Sequence, residues 1–154
     1  MRRKDREMSR EFALAVMDKC EWTVVSFVTP EGEPYAVPVS AVREGDALFF
    51  HTAKEGRKID CIAHSPAVHV VCVGDVERAK DKFTTGYECA MAGGVCREVT
   101  DDAEKLHALR LIAEKYTPEH LPAFEREVAA SLARTGVYAI DLTGITGKAK
   151  QLKK

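Results

Sequence analysis

Apolar residues change their spacing along the chain, and the changes divide it into helix-like and strand-like segments. Between residues 5 and 19, Met8, Phe12, Ala15, Val16 and Met17 recur at helical intervals behind Ser9, which predicts an amphipathic helix. Trp22 to Thr29 is dense in β-branched and aromatic residues and runs into Pro30-Glu31-Gly32-Glu33-Pro34. That is a strand and a turn, with Tyr35 to Val42 as the returning strand. Glu44-Gly45-Asp46 makes another turn before the strand Ala47 to His51.

Ile59, Ile62 and Ala63 lie at helical spacing within 55–64, and Ser65-Pro66 stops that helix. Ala67 to Val73 reads as a buried strand ended by Gly74, and residues 75–85 read as polar and irregular. A long strand pattern covers Tyr87 to Val99. Thr100 or Asp101 then caps a helix reaching about Lys115. Thr117-Pro118 starts a second helix reaching about Arg134, with Thr as cap and Pro at the first helical position. Gly136 to Thr146 is the last strand. Six strands with short early turns and two late helices predict a mainly β fold, an antiparallel barrel with the helices outside. No repeat or low-complexity linker divides residues 1–154, so one domain is expected.

Charge and composition narrow the function. Lys and Arg number 23 against 24 Asp and Glu, a formal net charge of -1, so no basic excess suits a nucleic-acid partner. The apolar runs, such as Val68 to Val73, are too short for a membrane-spanning helix. The basic start Met1-Arg2-Arg3-Lys4-Asp5 has no apolar region behind it and does not read as a signal peptide. Cys20, Cys61, Cys72, Cys89 and Cys96 contain no CxxC pair, and reduced thiols in a cytoplasm are expected. His64 and His69 do not combine with these thiols at the spacing of a metal site, so no metal is expected. Most of the thiols lie in apolar runs that raise their pKa, which argues against a cysteine nucleophile.

The candidate chemistry lies at Leu48-Phe49-Phe50-His51-Thr52-Ala53-Lys54-Glu55-Gly56-Arg57-Lys58. A strand ends at a histidine, and Lys54, Arg57 and Lys58 crowd around a glycine where a helix begins. Basic side chains and free N–H groups at a helix start suit an anion, and phosphate is the usual one. Lys54 and Lys58 are expected to share a helical face, with Arg57 close to it. A solvated helix start is the alternative reading. His51 is either a ligand contact, a proton donor or a histidine satisfied by a backbone group. Around Gly93-Gly94, either another backbone or a flat ring approaches closely or the strand is bulged.

Taken in order, the residues resemble the pyridoxamine 5′-phosphate oxidase-like, FMN-binding split-barrel family, in particular its nitroimidazole-reductase branch. The likeness rests on the opening Met1-Arg2-Arg3-Lys4-Asp5-Arg6-Glu7, Cys20, Pro34-Tyr35-Ala36-Val37-Pro38-Val39, Phe50 to Lys58, Tyr87-Glu88-Cys89 and Gly147-Lys148. It implies a six-stranded antiparallel split barrel that forms a homodimer with FMN at the subunit interface. By the same resemblance, Val37, Pro38, Val39 and Ser40 would offer backbone groups to the isoalloxazine. Phe50, His51, Thr52 and Ala53 would flank the ring and ribityl chain. Arg57 and Lys58 would take the phosphate, and Tyr87, Glu88 and Cys89 would complete the site. Cys89 stands where the family more often has serine. The implied activity is electron transfer from a reduced donor through FMN to a small electron-poor acceptor, with His51 as proton donor. A flavin or haem carrier on the same barrel, a deazaflavin user and a pyridoxamine 5′-phosphate oxidase-like enzyme are the alternatives.

Overall fold

The computed structural model describes residues 2–152. Met1 of the opening motif and the last two lysines of the basic tail lie outside the described residues. Eight strands form one sheet: β1 (Glu7–Met8), β2 (Thr23–Val28), β3 (Pro34–Val39), β4 (Ala41–Glu44), β5 (Ala47–Ala53), β6 (Ala67–Arg78), β7 (Thr85–Glu98) and β8 (Thr135–Lys150). Four α-helices accompany them: α1 (Arg10–Lys19), α2 (Arg57–His64), α3 (Asp102–Tyr116) and α4 (Phe124–Ser131). All pairings are antiparallel, in the order β3-β2-β6-β7-β8-β5-β4, with β1 on β8.

The ends of that path are β3 and β4, and only Ser40 separates them in the chain. One residue spans no more than about 3.6 Å, so the sheet must curl until its two edges meet at Ser40. The edges are joined by the chain and not by a hydrogen-bonded ladder. This is an open, split barrel.

Helix α1 packs against the barrel interior and buries Ala13, Val16 and Met17. They meet Val25, Val70, Cys72, Ala90, Ile140, Leu48 and Phe50 in one core. The register Leu48↔Ile140 and Phe50↔Tyr138 puts those pairs on the inner face, while Phe49↔Ala139 and Val137 face outward. The outward pairs are buried too, because α3 covers them with Ala108 in a second cluster that includes Val99. Burial on both faces explains the unbroken apolar runs 48–50 and 137–140.

The sequence expectations hold in outline and shift in detail. The single strand expected over 35–42 is two, broken at Ser40, and β1 adds an eighth. The stretch expected to be irregular after Gly74 stays in β6 as far as Arg78, carried past a bulge between Val73 and Val76. Before α1 the chain forms a 3-10 turn and β1, and Ser9 caps α1 by accepting from the Phe12 N–H at 3.2 Å. Asp101 caps α3, accepting from the Glu104 N–H at 2.9 Å. Thr117 makes no cap. Its hydroxyl donates back to the Ala113 carbonyl, and residues 118–123 form a 3-10 segment before α4. At the Gly93-Gly94 pair β8 approaches closely and the strand is bulged: a Cβ on Gly94 would stand 2.5 Å from the Ile140 side chain and 3.0 Å from the Asp141 carbonyl oxygen, and the β7–β8 register shifts between Met91 and Gly93. No described helix is long and apolar enough to cross a membrane.

Candidate functional site

Strand β5 and helix α2 are joined by three residues, and Gly56 sets the junction. Its φ of 115° and ψ of 169° lie in a region open essentially to glycine alone, while a Cβ there would meet nothing within 4 Å. Backbone conformation, not space, requires the glycine. Gly56 is also the N-cap of α2 and has no side chain to cap with, so its carbonyl accepts from Ile59 and Asp60 at 2.8 and 3.1 Å. The N–H groups of Arg57 and Lys58, in the first turn, remain available to an external anion.

The side chains at this junction part company. Lys58 lies over the Phe50 ring, its Nζ 5.8 Å from the centroid. It is half-buried, and desolvation alone lowers its pKa. Among the described residues no carboxylate pairs with it, and a cation partly stripped of water in this way is a strong receiver for an anion. Arg57 instead turns toward β3, 5.0 Å from the Tyr35 centroid and 3.5 Å from Glu33. Lys54 precedes α2 and does not share a helical face with Lys58, contrary to the spacing argument, because Gly56 breaks the chain direction between them. His51 lies inside β5, not at its end, and its side chain is exposed along one side. Neighbouring atoms still crowd the imidazole, and this desolvation, with the Lys58 charge second, lowers its pKa. The protonated form of His51 is disfavoured as a result. Thr52 is half-buried and Ala53 exposed on the same strand.

Strand β3 supplies the second wall. The Glu33 carbonyl accepts from the Thr29 N–H at 2.9 Å, which fixes the odd-numbered residues as those bonded to β2. Even-numbered residues turn their backbone groups outward, and Pro34 and Pro38 have that parity, as an edge strand requires. Of the expected stretch Val37, Pro38, Val39 and Ser40, the outward backbone groups in β3 are therefore those of Pro38, which has no N–H to give. Ala36 offers both an N–H and a carbonyl and was missed from sequence. The proline spacing was the signal that could have found it. Val39 is buried and Val37 and Ser40 half-buried beside it.

Tyr87, Glu88 and Cys89 do not join this group within one chain. His51 pairs with Val137 and Cys89 with Lys148, eleven positions along β8, on the order of 30 Å of strand contour. Across the sheet, β2 and β6 separate Val39 from Ala90. The far cluster has its own character. Lys148 Nζ lies 5.8 Å from the Tyr87 centroid, and Arg6 donates to the Tyr87 hydroxyl at 3.5 Å. Burial would raise the Tyr87 phenol, but Arg6 and Lys148 outweigh it and lower the pKa. Glu88 is engaged internally: it accepts from the Asp75 N–H at 3.2 Å and pairs with Lys19 at the β6 bulge. Cys89 is half-buried, and desolvation raises its thiol. A cavity of about 330 Å³ lies beside Tyr87 and Glu88, bounded by Asp75, Glu77 and Lys150. Among the described residues no three metal-binding side chains come together.

Solved structures share this fold. A candidate 5-nitroimidazole antibiotic resistance protein from Bacteroides thetaiotaomicron superposes with a TM-score of 0.77 at 23% identity, over 94% of this chain and 90% of that one. A FAD-binding protein from Mesorhizobium loti gives 0.70 at 19% identity, over 95% and 98%. A FAD- and heme-binding protein from Mycobacterium smegmatis gives 0.76 at 21%, over 96% and 74%. No curated protein matches the chain. Residues 9–149 match the family described as pyridoxamine 5′-phosphate oxidase, and the chain belongs to that family.

Proposed function

We propose that the protein is an FMN-dependent oxidoreductase, nitroimidazole-reductase-like, that works as a homodimer. The observation that carries this reading is the junction of β5 and α2. There, a half-buried lysine without a carboxylate partner and two first-turn N–H groups converge beside an edge strand with outward backbone groups. A phosphate dianion suits Lys58 and the N–H groups of Arg57 and Lys58, and a flat polar-edged ring suits the β3 edge and His51 to Ala53, Phe50 itself being buried in the core. Arg57 contributes mainly by its backbone, since its guanidinium faces Glu33 and Tyr35. The Ala36 N–H and the Ala36 and Pro38 carbonyls would meet the ring edge. Bound flavin supplies the redox chemistry, and the chain binds and orients it.

The two clusters that one chain keeps apart are half-sites in this reading. A second copy, related by two-fold symmetry, would bring its Tyr87, Glu88 and Cys89 against His51 and Lys58. The acceptor would lie over the ring between them, a small electron-poor molecule, with the reduced donor using the same opening. His51 is the nearest group able to hold or give a proton. One of the proteins that share its fold binds heme as well as FAD, and this chain has His51, His64 and His69 as residues a haem could use.

The test is the absorbance of the purified protein and its titration with FMN. Flavin bands, or their appearance with tight binding when FMN is added, are expected. A Soret band with no flavin affinity would replace this reading by a haem carrier. Anaerobic assay with a nitroimidazole then separates a reductase from a carrier, and assay with pyridoxamine 5′-phosphate tests the oxidase alternative.

A further inference from the structure

Away from the β5–α2 junction, α1, β2 and β6 bring two thiols to a single hydroxyl. Cys20 is the C-cap residue of α1, and Thr23 opens β2 three residues later. Thr23 pairs with Cys72 in the β2–β6 register. Thr23 Oγ1 consequently lies 3.7 Å from Cys20 Sγ and 3.4 Å from Cys72 Sγ. All three residues are buried, yet a cavity of about 410 Å³ bounded by Lys19, Trp22, Val24 and Val73 reaches Cys20. The remaining thiols, Cys61, Cys89 and Cys96, have no such companion sulfur hydrogen-bonded through a shared group.

The chemistry of the two sulfurs is divided. Hydrogen bonding within the pair lowers the Cys20 thiol from its ordinary range, with Thr23 and the Lys115 charge assisting against burial. Cys72 moves the other way because it keeps the shared proton, and burial raises it further. Desolvation raises Cys61, Cys89 and Cys96. The thiolate is the nucleophilic form and the cavity reaches Cys20 but not Cys72, so Cys20 is the sulfur set to attack and Cys72 the one set to resolve.

We propose that Cys20 and Cys72 are a hydroperoxide-reactive dithiol, closing reversibly to a disulfide that ties the end of α1 to β6. In the first step Cys20 sulfur attacks one peroxide oxygen. The S–O bond forms, the O–O bond breaks, and hydroxide leaves, giving a sulfenic acid. Cys72 then attacks the oxidised sulfur, the S–S bond forms, and its proton leaves with the displaced hydroxide as water. Two electrons pass from the sulfurs to the peroxide. A small thiol reverses the change by exchange, ending as its own disulfide. Neither cysteine belongs to the proposed flavin site, so the inference stands apart from that function.

The experiment exposes the full-length protein, as purified, to hydrogen peroxide at neutral pH and maps its cysteines by mass spectrometry after non-reducing digestion. A peptide pair linked through Cys20 and Cys72 is expected, cleaved by dithiothreitol. Cys72→Ser should stop the reaction at Cys20, where dimedone captures the sulfenic acid, and Cys20→Ser should lose both linkage and adduct. Peroxide-treated wild-type protein with both thiols still free overturns the proposal. So does dimedone labelling in Cys72→Ser that is no greater at Cys20 than at Cys61, Cys89 or Cys96. The linkage map needs only wild-type protein, so a variant that fails to fold leaves the decision intact.

Discussion

Two residues seven apart in the chain, His51 and Lys58 with Gly56 between them, carry the proposed site at the smallest scale. Lys58→Ala removes a charge-assisted contact to phosphate, about 1.5–3 kcal/mol, and should weaken FMN binding roughly tenfold to a hundredfold in a fluorescence titration. Arg57→Ala should do less, because its guanidinium is exposed and already faces Glu33 and Tyr35. Equal losses in the two variants would move the phosphate away from Lys58. Gly56→Ala tests the backbone: placing a Cβ at φ 115° costs on the order of 1–3 kcal/mol and would distort the N–H donors of α2. For His51 the sign follows from its surroundings. Burial and the Lys58 charge lower its pKa below 6.5, so the protonated form grows only as pH falls through that lowered value. If His51 delivers the proton, acceptor reduction should speed up on the acid side of neutrality, and His51→Asn should flatten that rise. A profile unchanged by the substitution assigns the proton to water.

Among the elements, the ones read most clearly from sequence are those whose local chemistry and burial agree. Helix α3 is an example: Asp101 caps it as expected, so Asp101→Ala should lower stability by about 0.5–2 kcal/mol in denaturant melts. Thr117→Ala should change little, since Thr117 makes no cap; a loss as large as that at Asp101 would contradict the geometry. The Thr-Pro signal at 117–118 was a correct start signal for the wrong element. Pro122 follows too soon for an α-helix to propagate, and a 3-10 segment intervenes. Strand β6 ran longer than its apolar pattern because ladder bonds to Arg78 persist where side chains face solvent. The break at Ser40 was illegible for another reason. It marks where two sheet edges meet, and that is a property of the curled sheet, not of residues 35–42. The glycine-lysine junction was legible because a positive φ and a bare helix start leave residue-level traces. Ala36 stands within the Pro34–Val39 motif, but that its backbone groups face outward depends on which side of β3 is the edge. Cys20 departs from the expectation of raised thiols only because β6 brings Cys72 beside it, a contact 52 residues away in sequence.

At the scale of the whole molecule, two clusters lie on one chain but far apart on its sheet. Lys58 and His51 are held beside α2, whereas Tyr87 stands with Arg6 and Lys148 near the end of β8. If each flavin site takes one cluster from each subunit, a dimer has two sites, each crossing the interface. A Lys58→Ala chain is then deficient at the first half-site, and a Tyr87→Ala chain at the second. In a mixed dimer one site collects both defects and the other collects none. Mixing equal amounts of the two defective proteins, with subunit exchange, produces mixed dimers in about half of the population. Each has one intact site of two, so about a quarter of wild-type tight flavin binding should return. If both clusters served a ligand within one chain, or only one of them served at all, no mixture would bind better than the average of its components. The same titration, run on each variant alone and on the mixture, therefore separates a shared interface site from a site built by a single chain. The mixed sample also has its own control: without subunit exchange it must behave as the average of its parts.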